Sequence, residues 1–115
     1  MPPPRPDAAP RTLRRNAPIF AALGDHTRLK LIHKLGAGSR SSISRLTKGS
    51  TLTRQAITKH LRVLEHAGLV RASRQGRETI FELNPEPLTQ ARRALDAISD
   101  QWEDALARLK SFAER

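Results

Sequence analysis

Between Thr53 and Leu83 the chain reads TRQAITKHLRVLEHAGLVRASRQGRETIFEL, and its apolar period changes once, at Gly68. Before that glycine, apolar residues recur three and four apart; after it, the strand-favouring runs LVRAS and ETIFEL flank RQGR. A helical period and a strand period cannot share one segment, so a helix followed at once by a β-hairpin is predicted. At 100° steps, Ala56, Ile57, His60, Leu61, Val63, Leu64 and Ala67 gather on one arc of the helix. Arg54, Gln55, Thr58, Lys59, Arg62, Glu65 and His66 occupy the other. Thr53 is suited to cap the helix, and Gly76 to take the positive φ of a tight hairpin turn. Arg71, Arg74 and Arg77 then sit near the tip of the ribbon, suited to phosphate contact or to a minor groove.

Upstream, Ala17 begins a short helical pattern with Ile19, Phe20 and Leu23 on one side, ending at Gly24. Asp25 reads as the N-cap of HTRLKLIHKLG, whose Leu29, Leu31, Ile32 and Leu35 cover enough of the circumference to predict burial. SSISRLTKG predicts a third short helix with Ile43 and Leu46 inward, and Gly49 to Leu52 a turn. A short helix, a tight turn and a helix with long polar side chains at its start form the helix-turn-helix arrangement. An ordinary amphipathic surface helix would carry the same charged arc if it stood alone; its neighbours favour recognition.

Downstream of Asn84-Pro85-Glu86-Pro87, apolar residues recur at Leu88, Ala91, Leu95, Ile98, Trp102, Ala105, Leu109 and Phe112, with gaps alternating between three and four. This is a heptad seam on a helix of about 25 residues, roughly 38 Å long at 1.5 Å per residue. Such a helix outruns a domain of about 100 residues, whose radius of gyration is about 13 Å. A homodimer through this seam, joined by the helix carrying Ile19 and Phe20, is expected. Packing of only its first half within the chain is the alternative.

The charge is compatible with that architecture. The 115 residues carry 21 Lys+Arg against 11 Asp+Glu, a net +10, and sixteen of the basic residues precede Glu78. A polyanionic partner follows, either nucleic acid or an anionic membrane surface. No run approaches the roughly 20 apolar residues of a membrane span, and MPPPRPDAAPRTLRR lacks the apolar core of a signal peptide, so a soluble, cytoplasmic protein is expected. The absence of Cys excludes disulfides, thiolate metal sites and cysteine nucleophiles. Five prolines and four arginines among the first sixteen residues predict a flexible tail. The expected division is a tail over 1–16, a DNA-binding domain over 17–84 and a dimerisation helix over 85–115. No nucleophile, base and orienting group, no phosphate loop and no metal motif suggest an enzyme.

The runs FAALGDHTRLKLIHKL, LTRQAITKHLRVLEHAGLV, RQGRETIFEL and PEPLTQARRALDAISDQWEDALARLKSF, in that order, resemble the ArsR/SmtB family of bacterial winged helix-turn-helix repressors. The resemblance spans Ala17 to Arg115 and implies a mainly α fold with a small β-hairpin wing and a long C-terminal dimerisation helix. It implies a homodimer that binds an inverted-repeat operator on double-stranded DNA. It places Thr53, Arg54, Gln55, Thr58, Lys59 and Arg62 on the DNA-reading helix and Arg74 and Arg77 on the wing. Metal-sensing members carry paired cysteines before the reading helix, or carboxylate and His ligands on the last helix. Here the first place reads SSISRLTKG, and the second offers Asp96, Asp100, Glu103 and Asp104 without His. His26 stands where the family usually has Pro, and Ser50 and Thr51 where many members have Leu and Gly. A member that senses no metal, holds no cofactor and has no recognisable effector site is expected. A nonspecific, nucleoid-type DNA-binding protein is the alternative that charge alone supports.

Overall fold

The computed structural model describes residues 11–36 and 40–114. In chain order the elements are α1 (Arg11–Leu23), α2 (His26–Gly36), β1 (Ser41–Ser42), α3 (Ile43–Thr47), α4 (Arg54–His66), β2 (Val70–Gln75), β3 (Glu78–Leu83) and α5 (Pro85–Ala113). The strands form one antiparallel sheet in the order β1-β3-β2. No described helix is long and apolar enough to cross a membrane.

Capping chemistry sets the helix boundaries. Asp25 accepts the Arg28 backbone N–H at 3.1 Å and opens α2. Ser42 Oγ accepts the Arg45 N–H at 3.2 Å and opens α3. Thr53 Oγ1 accepts the Ala56 N–H at 3.1 Å and opens α4. Thr53→Ala is expected to cost about 1 kcal/mol, the usual worth of such a cap, measurable as a lower urea midpoint with an unchanged m-value. At its other end α4 closes in a Schellman motif: Leu69 N–H donates to Leu64 O and Gly68 N–H to Glu65 O, both at 2.9 Å. Gly68, at φ +82°, takes the left-handed conformation this motif needs. The change of period at Gly68 is thus a corner that delivers Leu69 and Val70 to the core and starts the hairpin.

The hairpin pairs Val70 with Leu83 through to Gln75 with Glu78, leaving Gly76 and Arg77 as a two-residue turn. Gly76 has φ +63° and Arg77 a negative φ, the sign pattern of a type II′ turn. Asn84 ties the foot of the ribbon to the corner, its N–H donating to Leu69 O at 2.9 Å and its amide to Gly68 O at 3.0 Å. Phe81, fully buried, pairs with Ser41 on one side and Ala72 on the other. It joins Leu31, Leu35, Ile57, Leu61 and Leu64 in one core under the sheet.

Several expectations are corrected. The first helix begins at Arg11 rather than Ala17, so the last six residues of the expected tail are helical. Tertiary packing recruits them: Asn16 is buried, its amide donates to Thr12 O at 2.7 Å, and Leu13 lies with Ala94, Ala97 and Ile98 of α5. The remainder of the expected tail, 1–10, lies outside the described residues. Leu29, expected in the core, is 51% exposed. Leu31 and Leu35 form the buried stripe of α2, and Leu29 stands about 200° round the helix from Leu31. Val63 is likewise exposed, because Ile57, Leu61 and Leu64 alone supply the buried seam of α4. The strand β1 was not foreseen; two serines carry no alternating pattern, and their burial comes from pairing with β3.

Candidate nucleic-acid interface

The basic surface is assembled from α3, the turn after it, α4 and the hairpin. Burial of Ile57, Leu61 and Leu64 fixes the rotation of α4, which leaves Arg54, Gln55, Lys59 and Arg62 exposed and Thr58 half-exposed. Gln55 and Lys59 are one turn apart and project on the same side. Arg54 Nη1 donates to Ser44 Oγ at 3.3 Å, bridging the start of α4 to α3. The Thr58 hydroxyl donates back to Arg54 O at 2.8 Å, the usual way a threonine inside a helix satisfies its hydroxyl. Arg62 pairs with Glu65 at 2.7 Å, and its guanidinium carbon lies 5.5 Å from the centroid of the Phe81 ring. It therefore sits at the junction of α4 and the hairpin, already partnered.

The three hairpin arginines separate by strand alternation. Arg74 follows Val70 and Ala72 on the core-facing side of β2 and extends past the core, its Nε donating to Gly76 O at 3.4 Å. Arg77 occupies the exposed turn. Arg71 faces the other way and is held by Asn84 Oδ1 at 3.2 Å. Arg40 belongs to that outer side too, at 3.4 Å from Ser73 Oγ and 3.7 Å from Glu82. Arg45 and Lys48 are exposed on α3 and its C-cap, the short helix that packs on α4, and were not singled out from sequence. Their only signal was the excess of positive charge ahead of Thr53.

One polar cluster fixes how α4 sits against α1. Arg28 Nε donates to Ala22 O at 2.6 Å and Nη2 to Ala21 O at 3.4 Å, while Nη1 lies 3.3 Å from His60 Nδ1. Asp25 lies 3.7 Å from the same nitrogen. The backbone N–H of Arg28 holds the Asp25 carboxyl below its ordinary range, against a desolvation that acts the other way; the charges of His60 and Arg28 add to the lowering. His60 is thus a packed, hydrogen-bonded side chain of α4. Among the described residues no three His, Cys, Asp or Glu side chains gather as a metal site would require.

The heptad seam of α5 divides along its length. Ala91 and the unforeseen Ala94 are 3% and 1% exposed, covered within the chain, where α1 and α5 pack together. Leu88 and Ile98 are half-buried, as are Ile19 and Phe20 of α1. Beyond them Ala105, Leu106 and Leu109 are exposed, with Trp102 at 67% and Phe112 at 74%; Leu95 is exposed on the same helix. The helix has 29 residues, about 44 Å at 1.5 Å per residue, and carries the molecule to a radius of gyration of 19.2 Å.

No family profile matches the chain. It is 42% identical over 76 residues to an uncharacterised HTH-type transcriptional regulator, YuzN, of Bacillus subtilis, covering 61% of this chain and 83% of that protein. It is 32% identical over 107 residues to the HTH-type transcriptional repressor SmtB of Mycobacterium tuberculosis, covering 91% and 72%. Among solved structures, an ArsR-like transcriptional regulator from Rhodococcus superposes with a TM-score of 0.74 at 36% identity, covering 89% of this chain and 95% of that one. The homodimeric winged helix-turn-helix DNA-binding domain Mb0332 of Mycobacterium bovis shares the fold, with a TM-score of 0.62 at 19% identity over 86% and 91%.

Proposed function

Because the chain belongs to the ArsR/SmtB family of winged helix-turn-helix transcriptional regulators, we propose that it is a homodimeric repressor reading an inverted-repeat operator. Residues 17–84 form the DNA-binding unit and 85–115 the dimerisation unit, with α1 from Arg11 shared between them. The observation that carries this reading is the rotation of α4: its buried seam turns Gln55 and Lys59 outward beside the hairpin that bears Arg74 and Arg77. Two copies joined through the exposed part of α5 would set two such helices into successive major grooves about 34 Å apart. The homodimeric assembly of the Mycobacterium bovis neighbour supports the two-fold arrangement.

Within each half, Thr53, Arg54, Gln55, Thr58 and Lys59 approach base edges and nearby phosphates. Arg62 braces α4 against the wing, Arg74 and Arg77 hold the flanking backbone, and Arg45 and Lys48 add phosphate contacts from α3. Gln55→Ala is expected to remove about 1–3 kcal/mol of discrimination between bases at one position of each half-site. Arg74→Ala is expected to weaken all sequences evenly and to lower the salt slope by about 1. Fluorescence anisotropy over a salt series separates the two, and the reverse assignment would exchange reader and clamp.

Net charge of +10 favours a second reading, a nonspecific DNA-coating protein. Selection of bound duplexes from a random pool decides between them. A palindromic motif bound at least ~10³-fold more tightly than scrambled DNA is the expected result; equal affinities would remove the repressor reading.

A further inference from the structure

The side of α2 that faces the α3–α4 turn plays no part in the roles given above to α4, the wing or α5. His26, Lys30 and Lys34, spaced four apart on one helical stripe, form a wall of a cavity of about 510 Å³. Its floor is Leu31, Leu46 and Ile57, and the facing wall is the turn carrying Ser50 and Leu52. Lys34 leans over the floor, its Nζ donating to Leu46 O at 3.4 Å. Among the described residues no Asp or Glu lines this space. Leu52 adds a large apolar side chain left exposed on the rim. The volume lies within the range of small-molecule sites, which pair mostly apolar linings with a few orienting polar groups.

We propose that this cavity is a binding site for a small amphipathic carboxylate. The carboxylate lies against His26 and Lys30, where a charge-assisted hydrogen bond from the ammonium orients it. The apolar tail runs toward Leu46, Leu52 and Ile57 and covers the rim leucine. The same turn leads directly to the Thr53 cap of α4, and Ile57 belongs to the cavity floor and to the buried seam of α4 alike. An occupant therefore bears on the seating of α4. That consequence rests on the DNA-binding reading; the site itself does not.

The test uses octanoate as the probe and octanamide as its neutral counterpart, each titrated calorimetrically into the full chain. Saturable binding of octanoate at one per chain, with octanamide far weaker, is expected. Lys30→Glu should weaken octanoate by about tenfold or more, as the loss of a charge-assisted contact predicts. Lys110→Glu makes the same change of charge beside the exposed apolar end of α5 and should leave the binding intact. Absence of octanoate binding, equal binding of octanamide, or loss in Lys110→Glu instead of Lys30→Glu would each overturn the proposal. A Lys30→Glu chain that loses DNA affinity while the parent ignores octanoate would assign this wall to the phosphate backbone, and would also overturn it. Octanoate binding in a chain that binds no duplex would leave the cavity standing and sink the regulator reading alone.

Discussion

Trp102→Asp combined with Leu109→Asp is expected to turn the protein into a monomer and to lower its affinity for an inverted repeat by about 10²-fold or more, the advantage that linking two binding modules confers. These side chains lie on the part of α5 that no described residue of the chain covers. Burying a large apolar side chain contributes about 1.5–3 kcal/mol, so the exposed stripe holds enough apolar area to drive association. A carboxylate at either place would have to be buried without a partner. Light scattering reads the mass, and Trp102, the single tryptophan, reports burial of the seam through its emission in the parent protein. The milder Trp102→Ala is informative as well: if dimerisation and operator affinity both survived it, the seam would not be the interface.

Phe81→Ala is expected to destabilise the fold by about 3–5 kcal/mol, the range for emptying a fully buried aromatic site. The total stability of a small domain is about 5–15 kcal/mol, so the variant should lose a large fraction of it. Phe81 pairs across both neighbouring strands, underlies the Arg62 guanidinium and packs on the helices, so collapse around the void would have to move several elements together. Urea unfolding followed by circular dichroism, at one fixed protein concentration because dimerisation adds to apparent stability, measures the loss. Leu29→Ala and Val63→Ala, at exposed positions, are expected to stay within about 0.5 kcal/mol. An unchanged midpoint for Phe81→Ala would mean that the sheet is not held through this ring.

Much of the local structure that positions the candidate interface was legible in residue order because its causes are local. Thr53 caps α4, Gly68 turns the corner and Gly76 the hairpin, each by chemistry confined to a few neighbouring residues. The seam of Ile57, Leu61 and Leu64 then points Gln55 and Lys59 outward. Other features were hidden for an equally physical reason. Arg62 and Arg71 looked like further basic residues beside Arg54 and Arg74, yet long-range neighbours occupy them: Phe81 nineteen positions away for Arg62, and Asn84 thirteen away for Arg71. Arg45 and Lys48 were not singled out because the pattern of α3 gives its inward face, Ile43 and Leu46, but not the packing of α3 on α4.

By itself the sequence determined the corners at Asp25, Thr53, Gly68 and Gly76 and the change of type between α4 and the hairpin, since caps, turn glycines and apolar periods act within about one turn of the chain. It also determined that α5 would carry a seam longer than the domain beneath it. Only the tertiary structure decided how that seam is shared. Packing against α1 covers Ala91 and Ala94 within the chain and leaves the half around Trp102 and Phe112 uncovered. The same packing draws Arg11 to Asn16, a stretch poor in apolar residues, into a helix. Whether a side chain is covered depends on the whole arrangement of surfaces, and a single segment's pattern cannot express that.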